Sequence, residues 1–143
     1  MKNRLMFILI SGMACMTSTM SYAADDPRQL VALPDMMQHH MLSNMRDHLI
    51  TLNEILTLMS TGKLDKAADI AEQRLGMSSL PLHGASHMAR FMPKGMQMAG
   101  TNMHKAASRF ARKAQEGALL PAYRSLADVT ATCVACHSAY RIR

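Results

Sequence analysis

Apolar side chains recur at steps of three and four along most of this chain, and almost nothing alternates with period two. Pro34 and Asp35 open a first predicted helix, which Gly62 closes after more than six turns; Met41, Met45, Leu49, Leu52, Leu56 and Met59 draw one apolar stripe along it. Asp65 caps a shorter second helix through Ala68, Ala71 and Leu75, ended by Gly76. From Met77 to Met92, the pair Ser78-Ser79, Pro81 and Gly84 mark a long connection with room for one helical turn. A third helix begins near Pro93, carries Met96, Gly100, Met103, Ala107, Phe110 and Ala114 on its inner face, and stops at Gly117. Pro121 starts the fourth, whose Leu126, Val129, Cys133, Val134, His137 and Tyr140 share one side. Four amphipathic helices joined mostly by short loops predict an all-α fold, an antiparallel four-helix bundle.

The first 23 residues read as a leader rather than as part of that fold. Lys2 and Arg4 form a charged start, Met6 to Ile10 begin an apolar stretch, and Ser21-Tyr22-Ala23 offers the small residues a signal peptidase reads, with cleavage expected after Ala23. Ser11, Gly12 and Thr17 interrupt the apolar run, which is too short for a comfortable membrane span, so no span is expected in the mature form. Gly12-Met13-Ala14-Cys15 lacks the leucine of a lipoprotein box. The expected destination is the periplasm.

Residues 24–143 are then one domain with a single core, since 120 residues are too few for two. Loss of Lys2 and Arg4 leaves 14 basic residues against 10 acidic, a net +4 before histidines. The basic residues are scattered and no stacking aromatic set accompanies them, so nucleic-acid binding has no support. Methionine is the unusual feature: of 16, five leave with the leader and 11 remain, suited as flexible gap-fillers in irregular space.

The only cysteines of the mature chain stand in Cys133-Val134-Ala135-Cys136-His137 near its C-terminus, the C-x-x-C-H attachment pattern of a c-type haem. Helical residues three apart share a face, so both sulfurs can form thioethers to one porphyrin while His137 reaches the iron. Three other chemistries use similar residues. A zinc site lacks a second cysteine pair to close the tetrahedron. A thioredoxin-like dithiol belongs at a helix N-terminus after a strand, and this pair lies inside an apparent helix. A disulfide between i and i+3 of a regular helix is strained. One covalent haem c is the expected cofactor.

With its continuation Ser138-Ala139-Tyr140-Arg141 after the haem histidine, the motif on a fourth helix resembles the class II cytochromes c, which include cytochrome c prime and its low-spin relatives. The resemblance extends over the mature domain in helix order and length, although only the C-terminal motif is specific. It implies that the haem is carried by the C-terminal helix, that Cys133 and Cys136 hold it, that His137 is the proximal axial ligand, and that a homodimer is possible. Arg141, one turn later, is then either a neighbour of the His137 ring that influences its basicity or a surface charge at a helix C-terminus. By the same resemblance Met45, on the inner stripe in a Met-Arg-Asp sequence 17 residues before Gly62, is the first candidate for a distal axial ligand, and Met41 the second. His48, three residues after Met45, offers a bis-histidine alternative of lower potential. His39 and His40 are expected at the helix surface, and His83, His87 and His104 at the surface or behind the ligands.

The expected function is that of a periplasmic monohaem cytochrome carrying single electrons between redox partner proteins, with no enzymatic acid, base or nucleophile in evidence. An open distal position would instead suit a five-coordinate protein binding nitric oxide or carbon monoxide. A third reading is a periplasmic copper-binding module at Met36-Met37-Gln38-His39-His40-Met41, whose thioethers and imidazoles suit cuprous ion but whose consecutive spacing points around the helix axis.

Overall fold

The computed structural model describes residues 26–143. The expected leader, its cleavage point after Ala23 and Cys15 lie outside these residues. Among the described residues the chain is mostly helical, in the order β1 (Gln29–Val31), α1 (Asp35–Ser60), α2 (Leu64–Arg74), a 3-10 turn (Met77–Ser79), α3 (Ala85–Ala89), α4 (Lys94–Gln115), α5 (Leu119–Ala139) and β2 (Tyr140–Ile142).

The ends of the long helices follow backbone chemistry. Pro34 caps α1 in an extended conformation, and Asp35 puts a carboxylate on the positive end of the helix dipole. Beyond the C-cap Thr61, Gly62 takes φ +70°, the left-handed conformation that terminates a helix. Gly117 does the same for α4 at φ +77°. Two starts differ by a residue or two from expectation. α2 begins at Leu64, with Asp65 inside its first turn. α5 begins at Leu119, and Pro121 falls in the first turn, where an amide hydrogen has no helical acceptor to lose.

β1 and β2 pair in parallel, Gln29 with Tyr140, Leu30 with Arg141 and Val31 with Ile142, so the first described residues are bound to the last. Three-residue strands are too short to show alternation, which is why the hydrophobic pattern does not reveal them. Their consequence is that α5 stops at Ala139, and Tyr140 leaves the helical face on which the spacing alone put it.

α2 packs on α1 and on α4, and α4 packs on α5, whereas α1 and α5 hardly meet. The main core joins Ile55 and Met59 of α1, Ala67, Ala68 and Ala71 of α2, Met103, Ala107, Phe110 and Ala114 of α4, and Ala122, Leu126 and Val129 of α5. Alanines on the facing surfaces let the helix axes approach closely around one large ring, Phe110, which is fully buried. A second apolar cluster holds Val31, Leu33, Met88 and Met96, with Met37, Met41, Phe91, Met92, Cys136, Tyr140 and Ile142 packed against it.

The inner face of α1 is rotated from the expected stripe. Thr51, Ile55 and Met59 are its buried residues, while Leu49 is 68% and Leu56 41% exposed. Arg74 of α2 meets Asp47 and Glu54, which draws that edge of α1 toward α2. The buried Thr51 hydroxyl is satisfied locally, donating to the Asp47 carbonyl at 2.8 Å. On α5, Val134 was expected on the inner side and is instead 64% exposed.

Candidate functional site

Cys133 and Cys136 sit one turn apart near the end of α5, both half-buried and unpaired. Cys133 packs against the main core and Cys136 against the second cluster, so the two sulfurs straddle the junction of the apolar regions. The Cys133 thiol donates to the Val129 carbonyl at 3.5 Å. Burial pushes both thiols up from their usual value, the opposite of what a reactive dithiol needs. His137 is exposed, and its backbone carbonyl accepts a hydrogen bond from Arg28 Nη1 at 3.2 Å.

Arg141 does not continue α5 one turn past His137. It lies in β2 opposite Leu30, with Nε 3.6 Å from a carboxylate oxygen of Asp26. Asp26 also pairs with Arg28 at 2.6 Å; that hydrogen bond first, then the Arg28 and Arg141 charges, holds its carboxyl down at about 2. The basic group acting on the His137 backbone is therefore Arg28, which the sequence reading did not single out. Nothing in local spacing links residue 28 to residue 137; the strand pairing does. Tyr140, also in β2, sets its hydroxyl against Gly95 so closely that a Cβ there would have no room.

On α1, Met41 is packed into the cluster that contains Cys136, and Met45 is half-buried outside both clusters. Helical spacing puts Met45, Leu49, Leu52 and Leu56 on the edge of α1 remote from Asp47 and Glu54, and so remote from α2. His48 faces inward. Its ring meets that of His83 edge-on at 4.6 Å and lies 6.2 Å from that of His104. Burial first, then the His83 and His104 rings, with a smaller part from His137, lower its pKa to about 4 against the opposing Asp47 carboxylate.

His83 and His104, expected at the surface or behind the ligands, are 9% and 7% exposed, which removes the surface alternative. A histidine on an irregular connection and one at the flank of a helical stripe carry no sequence signal of burial; tertiary packing alone brings them in. The Met36–Met41 run occupies the first turns of α1. Met36 is 78% exposed, Met37 and Met41 pack in an apolar cluster, and His40 Nε2 is 2.9 Å from the His83 carbonyl. Among the described residues no three His, Cys, Asp or Glu side chains already stand together as a metal site, and no helix is long and apolar enough to cross a membrane.

The geometry is compatible with a flat apolar cofactor on α5. α1 and α5 scarcely touch, and exposed apolar side chains, Leu49 and Leu56 on α1 and Val134 on α5 beside the cysteines, are available to cover one. Both sulfurs are free, share a helix face and lie at an apolar surface, as two thioether bonds to one ring require. No family model, no curated protein and no solved structure matches the chain.

Proposed function

We propose that the mature chain is a periplasmic monohaem c-type cytochrome that carries single electrons between redox partner proteins, and that α1, α2, α4 and α5 form the antiparallel four-helix bundle of a class II cytochrome c. The observation that carries this reading is Cys133, Cys136 and His137 on the last turns of α5, with two unpaired half-buried sulfurs packed against the apolar clusters. A haem bound there supplies a one-electron couple at its iron.

The chain's own residues do the rest. Cys133 and Cys136 hold the porphyrin edge covalently, which removes the need for a deep pocket. His137 supplies the proximal imidazole, and Arg28 restrains the backbone that carries it. Met45, half-buried on the α1 edge remote from α2, is the preferred distal ligand; Met41, packed against the same apolar cluster as Cys136, is the second choice. The Asp26, Arg28 and Arg141 group ties the incoming chain to the haem-bearing tail and opposes its fraying.

Optical spectra of the ferric and ferrous protein test the ligand set. A low-spin ferric spectrum with the long-wavelength band of thioether ligation, lost in Met45→Ala, is the expected result. A five-coordinate spectrum would transfer the reading to gas binding, and a chain without haem absorption would end it.

A further inference from the structure

Three imidazoles meet inside the molecule, each from a different element: His48 of α1, His83 of the turn before α3, and His104 of α4. Their ring centroids are 4.6, 5.3 and 6.2 Å apart. Imidazole nitrogens bind transition ions at roughly 2.0–2.1 Å, which for three rings spread tetrahedrally around one ion puts the centroids about 5 Å apart. The observed separations bracket that value.

The hydrogen bonds decide which nitrogens are free. Ser79 Oγ donates to the Gly76 carbonyl at 2.7 Å, which leaves it an acceptor toward the rings, and it lies 3.4 Å from Nδ1 of both His83 and His104. His104 Nδ1 is also 2.7 Å from the Leu75 carbonyl, which can only accept. His104 therefore carries its proton on Nδ1 and keeps a bare lone pair on Nε2, and the same tautomer of His83 satisfies its longer contact to Ser79. A backbone carbonyl holding the far N–H of an imidazole is the usual outer support of a metal-binding histidine. The His83 backbone is pinned as well, its carbonyl taking His40 Nε2 at 2.9 Å and Asn44 Nδ2 at 3.0 Å.

His48 supplies the feature that ordinary core packing does not explain. Its Nε2 is shut off from solvent and has no hydrogen-bond partner. Burial disfavours the charged form of both His48 and His83, and it is the neutral form that binds metal.

We propose that His48, His83 and His104 form a metal centre separate from the haem, taking one borderline-soft ion, copper or zinc, through three neutral imidazole nitrogens. Neutral nitrogen donors favour these ions over magnesium or calcium, which require oxygen. As the rings stand, Ser79 turns the Nδ1 edges of two of them toward itself and the donors do not yet meet on a point. Closure on an ion requires rotation about the soft ring torsions, at the expense of the long 3.4 Å contacts to Ser79. The proposal rests on the preceding reading in one respect only: His48 is not the distal haem ligand.

The test is a competition titration of the mature chain as isolated after export, using a chromophoric chelator with zinc(II) in one arm and cuprous ion under reductant in the other. One equivalent should bind in at least one arm without changing the haem spectrum, and His83→Gln and His104→Gln should each weaken it at least 10-fold. X-ray absorption of the zinc- or copper-loaded parent chain, which needs no variant to fold, should show about three imidazole nitrogens at the metal. Absence of stoichiometric binding in both arms, affinity unchanged in both variants, or a metal shell without imidazole would overturn the proposal. So would loss of a low-spin haem spectrum in His48→Ala, which would assign His48 to the iron. A haem-free chain that still binds the ion through these rings would refute the cytochrome reading and leave this one standing.

Discussion

Leu49 should be silent in the bare polypeptide and costly to change once haem is attached. The side chain is 68% exposed on the α1 edge remote from α2, where an ordinary surface leucine could become glutamine with little effect on helix propensity. If a haem on α5 covers that edge, the exposed part becomes buried. Complete burial of a leucine is worth about 1.5–3 kcal/mol, so the remaining two-thirds corresponds to roughly 1–2 kcal/mol. At about 2.1 cal/mol/K per residue, the unfolding entropy of the 118 residues of 26–143 converts this into a melting-point loss of about 4–8 °C. The assay is thermal unfolding followed by helical circular dichroism. Leu49→Gln is compared with its parent in haem-loaded protein, and again in a Cys133→Ser, Cys136→Ser background that cannot attach haem. The variant should lose stability in the first pair and stay within about 0.5 kcal/mol in the second. Equal small effects in both pairs would refute the placement of haem against α1.

Other expectations concern the fold itself. Phe110→Ala empties the centre of the main core, where the ring is 0% exposed, and should cost about 3–5 kcal/mol by denaturant unfolding; a loss below about 1 kcal/mol would show that the core is not packed around it. His48 has its pKa lowered from 6.5 to about 4, so between those values the unfolded chain binds the proton that the folded chain refuses, and stability falls as pH drops through that window. The loss between pH 7 and 4.5 is on the order of 2 kcal/mol, and His48→Gln should flatten that part of the profile; a profile unchanged by the substitution would contradict it. Gly84→Ala places a side chain at φ +60° with its Cβ 2.9 Å from His40 Nε2, which should cost at least about 1–2 kcal/mol in denaturant unfolding; an unchanged midpoint would show the turn to be differently built.

The long helices were legible because their signals are local. Pro34 and Asp35, Gly62, Gly76, Pro93 and Gly117 bracket them within a residue or two, and the α4 stripe of Met96, Met103, Ala107, Phe110 and Ala114 is buried as its spacing requires. Rotation of α1 was not legible. Leu49 and Leu56 fit the apolar stripe as well as Ile55 does, and what selects Ile55 is the grip of Arg74 on Asp47 and Glu54, a pairing between helices that no periodicity encodes. The same limit hid β1 and β2, whose partners are more than a hundred residues apart. With them went the true position of Arg141, the role of Arg28 at the His137 carbonyl, and the inward placement of His83 and His104. The cysteine pair and its histidine, in contrast, form a pattern of five consecutive residues and needed no fold to be found.

The intact mass of the chain, exported and matured with a cytochrome-assembly system, tests the central claim most directly. One covalent haem on a polypeptide beginning after Ala23, with the attachment mapped to Cys133 and Cys136, is the expected result. A polypeptide of unmodified mass recovered under those conditions would contradict it.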